Sequence, residues 1–156
     1  MRVNSLIIDD FYNNPYEVRE FALNEDFNVT GTFPGFRTKP FLNEDVKKSI
    51  GDIIRPFAGE ITWWGGEYTG SFQYTTADDR SWIHSDSYTE WAGVLYLTPD
   101  APLTAGTGIY RHKQTGLMTW DHEKNKDYDF GPNSPIDAAK DITKWEQVDR
   151  YGNLFN

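Results

Sequence analysis

Cysteine is absent from this 156-residue chain, and with it go disulfides, thiolate nucleophiles and zinc–thiolate sites. Any strong metal ligand must therefore be histidine, aspartate or glutamate. Histidine itself is scarce, at 3 residues. Long apolar runs are missing too. Nothing approaches the roughly 20 residues that a membrane span needs, and the opening MRVNSLIIDDF offers only Leu6, Ile7 and Ile8 before Asp9 and Asp10, too short for the core of a secretion signal. Positive charge is also in deficit: 15 Lys and Arg stand against 24 Asp and Glu, a net charge of −9, whose field repels phosphate backbones and anionic headgroups. These absences exclude nucleic acid and membrane as partners, and a soluble cytoplasmic protein is expected. No internal repeat or low-complexity tract is visible.

What the chain has in quantity is aromatic residues, 16% of the total with 6 Trp, 9 Tyr and 10 Phe, which favour strands and large-side-chain cores. The length and a 38% hydrophobic content fit one domain over residues 1–156. A helical N-terminal part is expected over 1–60. There, NNPYEVREFALNEDF starts a helix with Asn14 as N-cap, Pro15 at the first helical position and Glu17 at the capping-box position, with Val18, Phe21 and Ala22 on one face. FPGFRTKPF, with two prolines and a glycine, reads as an irregular loop. Asn43 begins a second helix, in which Val46, Ile50, Ile53 and Ile54 recur at helical spacing until Pro56 ends it.

From residue 61 to 117, short aromatic and β-branched segments alternate with turns: EITWWGGEYTGSFQYTT, RSWIHSD, WAGVLYLTP and GTGIYRHKQTG. This is an antiparallel sandwich or barrel pattern, so the fold class expected is mainly β with N-terminal helices, α+β. Residues 118–149 are polar and weakly periodic and read as an insertion with a short helix near 136–141. YGNLFN, at 150–156, reads as the start of a further strand. Gly106 and Gly108 in AGTGIY read as turn glycines, since no helix N-terminus follows to make a phosphate cradle.

One pair of residues carries chemistry. In RSWIHSD, strand geometry would send Trp82, His84 and Asp86 to one face and Ile83 and Ser85 to the other. An imidazole and a carboxylate so placed are two of the three ligands of the 2-His-1-carboxylate triad that holds Fe(II). The bland alternative is a half-exposed strand face with its ordinary polar residues, solvated or bonded to each other.

The order of segments resembles the Fe(II)/2-oxoglutarate-dependent oxygenases, in a prolyl-hydroxylase-like bacterial and phage branch. The resemblance runs over nearly the whole chain through IIDDFYNNPYEVREFAL, FPGFRT, SFQYTTADDRSWIHSD, WAGVLYLTPDAPLTAGTGIYRHKQTG and YGNLFN. It implies a double-stranded β-helix, or jelly roll, with His84 and Asp86 as iron ligands and Tyr74 as a 2-oxoglutarate contact. It implies Fe(II) and 2-oxoglutarate as cofactors, and hydroxylation of a small molecule or a protein side chain. The acidic surface favours a neutral or cationic substrate.

The departure from the family lies at the C-terminus. There the family continues the strand opened by GNLF and later supplies a second histidine and a basic 2-oxoglutarate anchor, whereas no histidine here follows His122. An incomplete jelly roll from a truncated frame or fragment is expected. His112 is the local candidate for third ligand, its alternative being a strand-end histidine bonded to a neighbour. His122 sits in a charged loop. Arg37 and Arg111 are substitute anchors for a dicarboxylate, by the bidentate geometry of guanidinium, and no spacing selects between them. Tyr74 has core packing as its alternative, as do Trp82, Tyr88 and Trp91 as pocket walls. Two readings of another class stand beside the enzyme. One is a non-catalytic β-sandwich that stacks sugars on Trp63, Trp64, Trp82 or Trp91, although these tryptophans fall in apolar segments where burial is expected. The other is a lapsed oxygenase fold whose open sheet edges form a homodimer.

Overall fold

The computed structural model describes residues 5–31, 33–79, 81–84, 86, 89–102, 104–118 and 142–154. The chain divides into two compact units, Met1–Ser81 with Leu95–Thr98, and Trp82–Val94 with Pro99–Asn156.

The first unit opens with helix α1, Pro15–Leu23, which starts where its capping residues place it: the Asn14 side chain accepts the Glu17 amide at 3.3 Å. Its apolar face carries Ala22, which is buried, and Phe21, which meets Phe41 edge-on at 5.2 Å and Phe72 at 5.9 Å. Helix α2, Glu44–Ala58, is capped by Asn43, whose side chain accepts the Val46 amide at 2.9 Å. The helix does not stop at Pro56, as its sequence suggests, but runs two residues further. Proline in a last turn forfeits only its own amide bond, and the Gly59 amide still closes on the Arg55 carbonyl at 2.9 Å. Gly59, at φ +80°, then turns the chain back.

FPGFRTKPF is not the irregular loop that its prolines suggest. Strand β1, Phe36–Pro40, pairs antiparallel with β2, Ser71–Tyr74. The breaking residues fall at its ends: Pro34 and Gly35 precede the strand, and Pro40 is its last residue. Gly35 has φ +70°, and a Cβ there would collide with the Tyr74 carbonyl, so the turn into β1 needs glycine. Arg37 faces Gln73 and Pro40 faces Ser71, which leaves Thr38 and Lys39 together opposite Phe72, a β-bulge. The Thr38 hydroxyl fills the gap by accepting the Phe72 amide at 3.1 Å while donating to the Lys39 carbonyl at 2.7 Å.

In the second unit, β3, Ile109–His112, pairs antiparallel with β4, Trp145–Val148, which a 3-10 turn at Ile142–Lys144 leads into. Strand β4 lies inside the stretch read from sequence as an insertion. It forms because Trp145 and Val148 give a polar region two residues suited to a sheet, and Val148 is 1% exposed. Beyond it Leu154 bridges back to Val148, where a new strand was expected to begin. The Asp149 carboxylate shapes that turn by accepting the Tyr151 amide at 2.8 Å and the Asn153 amide at 2.9 Å. The helix expected near 136–141 lies outside the described residues.

The architecture is mixed α and β with short antiparallel pairs, and the strands of the described residues form two separate two-stranded sheets and no closed barrel. RSWIHSD and WAGVLYLTP, both expected as strands, join no ladder where they are described. Aromatic and β-branched content makes a segment suited to a sheet, but only a partner makes it a strand. No helix among the described residues is long and apolar enough to cross a membrane.

Candidate functional site

His84 and Asp86 come together without a strand beneath them. Nε2 of His84 lies 3.7 Å from Oδ1 of Asp86, and both side chains are about half exposed, 52% and 57%. On the other side of the ring, Nδ1 is 3.0 Å from the Trp82 carbonyl oxygen. A carbonyl only accepts, so Nδ1 carries the hydrogen of that bond and Nε2 is the ring nitrogen turned toward the carboxylate. An imidazole nitrogen and a carboxylate oxygen are both atoms of the kind that ligate a divalent metal. The carbonyl bond is also the kind that orients metal-binding imidazoles. The Trp82 ring lies beside the histidine, centroids 5.8 Å apart, and Trp82 and Trp91 are half-buried.

The other candidates are engaged elsewhere. His112 is 2% exposed, with Nδ1 3.0 Å from the Thr115 hydroxyl and its ring against the edge of Trp145 at 5.1 Å. Burial, and secondarily the Lys144 charge, hold its pKa below the ordinary histidine value. Arg111 donates from Nε to Glu146 at 2.7 Å and from Nη1 to the Gly152 carbonyl at 2.8 Å. In the first unit, Arg37 lies over Phe33 at 4.1 Å and near Tyr68 at 5.2 Å, and its Nε donates to Gln73 at 2.7 Å. Tyr74, 42% exposed, stacks on Phe36 at 5.3 Å and meets Phe27 edge-on at 5.0 Å. Tyr88 and His122 lie outside the described residues. Among the described residues no group of three or more His, Asp or Glu is placed to hold a metal.

Glu146, Trp145 and Thr115, the partners of Arg111 and His112, were not singled out in the sequence. Trp145, alone among polar residues, was the available signal. Trp63 also departs from expectation: it is 57% exposed, while Trp64 is half-buried.

A family profile matches residues 2–144. The chain belongs to the DUF6445 family, a family of unknown function. No curated protein and no solved structure matches it. Membership in DUF6445 names no chemistry, so the residues themselves have to supply the functional reading.

Proposed function

We propose that the chain is an Fe(II)/2-oxoglutarate-dependent oxygenase of hydroxylase type, built as a jelly-roll relative, with its metal held at His84 and Asp86. The observation that carries this reading is the facing of His84 Nε2 and the Asp86 carboxylate across 3.7 Å, with the opposite ring nitrogen anchored on the Trp82 carbonyl. A neutral imidazole and a carboxylate suit Fe(II), and they fit two of the three positions of a facial triad. The third donor is not among the described residues, and His112, turned to Thr115 and Trp145, is a poor substitute. When bound, Fe(II) with 2-oxoglutarate supplies oxidative decarboxylation of the co-substrate coupled to hydroxylation of a C–H bond. The protein's part is positional: the Trp82 carbonyl fixes the tilt of the imidazole, and the Trp82 ring supplies apolar surface beside it.

The test is an anaerobic Fe(II) titration with and without 2-oxoglutarate, following the metal-to-ligand charge-transfer absorption. Two fixed donors give weak, exchangeable binding. A saturable signal that needs 2-oxoglutarate and disappears in Asp86→Ala is the expected result. A flat titration, or an identical one in Asp86→Ala, overturns the reading.

A further inference from the structure

The same local hydrogen bond recurs at Asn14, Asn43 and His112, and only at the last can its acceptor titrate. Asn14 Oδ1 accepts the Glu17 amide at 3.3 Å, Asn43 Oδ1 accepts the Val46 amide at 2.9 Å, and His112 Nδ1 accepts the Thr115 amide at 3.3 Å. In each case the side chain takes the N–H three residues on, at a place where the chain turns or a helix begins. Histidine Nδ1 stands as many bonds from the backbone as asparagine Oδ1, so it fills the same position. An amide oxygen accepts throughout the neutral range, whereas an imidazole nitrogen accepts only while it carries no proton.

The turn after β3 is built on that nitrogen. The His112 carbonyl accepts the Gly116 amide at 2.8 Å, and the His112 amide donates to the Leu117 carbonyl at 2.9 Å. Within the loop, the Thr115 hydroxyl lies 3.0 Å from Nδ1 and accepts the Leu117 amide at 3.3 Å. The amides of Thr115 and Leu117 thus both lead back to one ring nitrogen, the first directly and the second through the hydroxyl. An N–H only donates, so Nδ1 presents a lone pair to Thr115 and the neutral ring keeps its hydrogen on Nε2. A further proton has only Nδ1 to go to, and there it sets a donor against the Thr115 N–H.

The surroundings oppose a charged ring. His112 is 2% exposed and packs against Trp145 of β4 at 5.1 Å. Of the charged groups near it among the described residues, Lys144, just before β4, repels an imidazolium, and Lys113 in the loop donates from its ammonium to the Thr143 carbonyl at 2.7 Å. Arg111 and Glu146, next along the two strands, bind each other at 2.7 Å.

We propose that His112 is a pH-sensitive latch: its neutral ring holds the loop over residues 113–117 closed, and a proton on Nδ1 opens that loop while β3 and β4 stay paired. A histidine that was merely buried would weaken the whole unit on acidification, but one that caps a turn releases the turn first. The latch needs no metal at His84 and Asp86.

NMR on the full chain tests it with two readouts. Long-range proton–nitrogen correlations of the His112 ring at pH 7.5 should show the hydrogen on Nε2 and none on Nδ1. Amide exchange, taken relative to each residue's intrinsic chemical rate, should quicken at Thr115 and Leu117 by about threefold or more between pH 7.5 and 5, since each pH unit below the ordinary histidine value of about 6.5 shifts such an equilibrium at most about tenfold. The Asn153 amide, held by Asp149 at 2.9 Å in the same unit, should not follow. His112→Asn keeps an acceptor for the Thr115 amide and does not titrate, so its loop should stay equally protected at both pH values. The ring correlations need no variant and decide the case even where His112→Asn does not fold. The proposal is overturned if Nδ1 carries the hydrogen at pH 7.5, if Thr115 and Leu117 in the parent are equally protected at both pH values, if Asn153 quickens with them, or if His112→Asn keeps the pH dependence of the parent.

Discussion

Arg111 and Glu146 stand directly opposite each other across β3 and β4, with Nε 2.7 Å from Oε1 and both side chains largely covered, at 30% and 25% exposure. Fully exposed pairs of this kind contribute at most about 1 kcal/mol, and hydrogen bonds to charged groups away from solvent contribute about 1.5–3 kcal/mol. This pair lies between those cases. Glu146→Ala should lower the unfolding free energy by about 1–2 kcal/mol in urea titrations, and by less in 1 M salt, where screening acts within about 3 Å. Arg111→Lys keeps the charge but loses the fork that reaches both Glu146 and the Gly152 carbonyl, so it should also destabilise. Equal stability of the parent and both variants would show that the pair contributes nothing to the β3–β4 sheet.

His112 gives the second unit a pH dependence whose sign follows from its burial. Its folded-state pKa lies below the ordinary value of about 6.5, first because the ring is buried and then because Lys144 is close. The unfolded chain therefore binds a proton that the folded chain refuses. Stability is full above the unfolded pKa and falls as pH drops toward the folded one, with a slope of at most about 1.4 kcal/mol per pH unit. Urea midpoints measured between pH 7.5 and 5 should fall more steeply for the parent than for His112→Asn, which does not titrate there. Parallel curves would mean that the imidazole is solvated in the folded state.

The sequence made some of this legible and hid the rest for physical reasons. Helix starts were readable because Asn14 and Asn43 announce themselves through one local hydrogen bond each, to residues three positions on. The end of α2 was misplaced because a proline signals a break without saying how near the helix already is to stopping. Sheet pairing is not local at all. Phe36 finds Tyr74 and His112 finds Trp145 across more than 30 residues of chain, and no periodicity within either segment encodes the other. The same gap explains why the strands expected at RSWIHSD and WAGVLYLTP join no ladder among the described residues. His84 and Asp86, in contrast, are close in sequence, so their juxtaposition was readable from spacing although the described residues around them form no strand. The pairing of Arg111 with Glu146 needed β4, and β4 was hidden in a stretch whose polarity resembles a loop.

The β1–β2 bulge gives the sharpest test of how a local irregularity is held. Thr38 is 0% exposed, and its hydroxyl takes the Phe72 amide that the extra residue of β1 leaves without a ladder carbonyl. Thr38→Val keeps the shape and removes the acceptor, so that amide stays buried and unbonded, at a cost of about 1–3 kcal/mol. Thr38→Ser keeps the hydroxyl and deletes one methyl group, worth about 0.8 kcal/mol when buried. Valine should therefore be the more damaging substitution even though it is the more hydrophobic and the better strand former. Hydrogen exchange at the Phe72 amide separates the two effects: it should quicken at least tenfold in Thr38→Val and change little in Thr38→Ser. If valine proves as stable as threonine, the bulge is held by the Phe36, Phe41 and Phe72 rings around it and not by the hydroxyl within it.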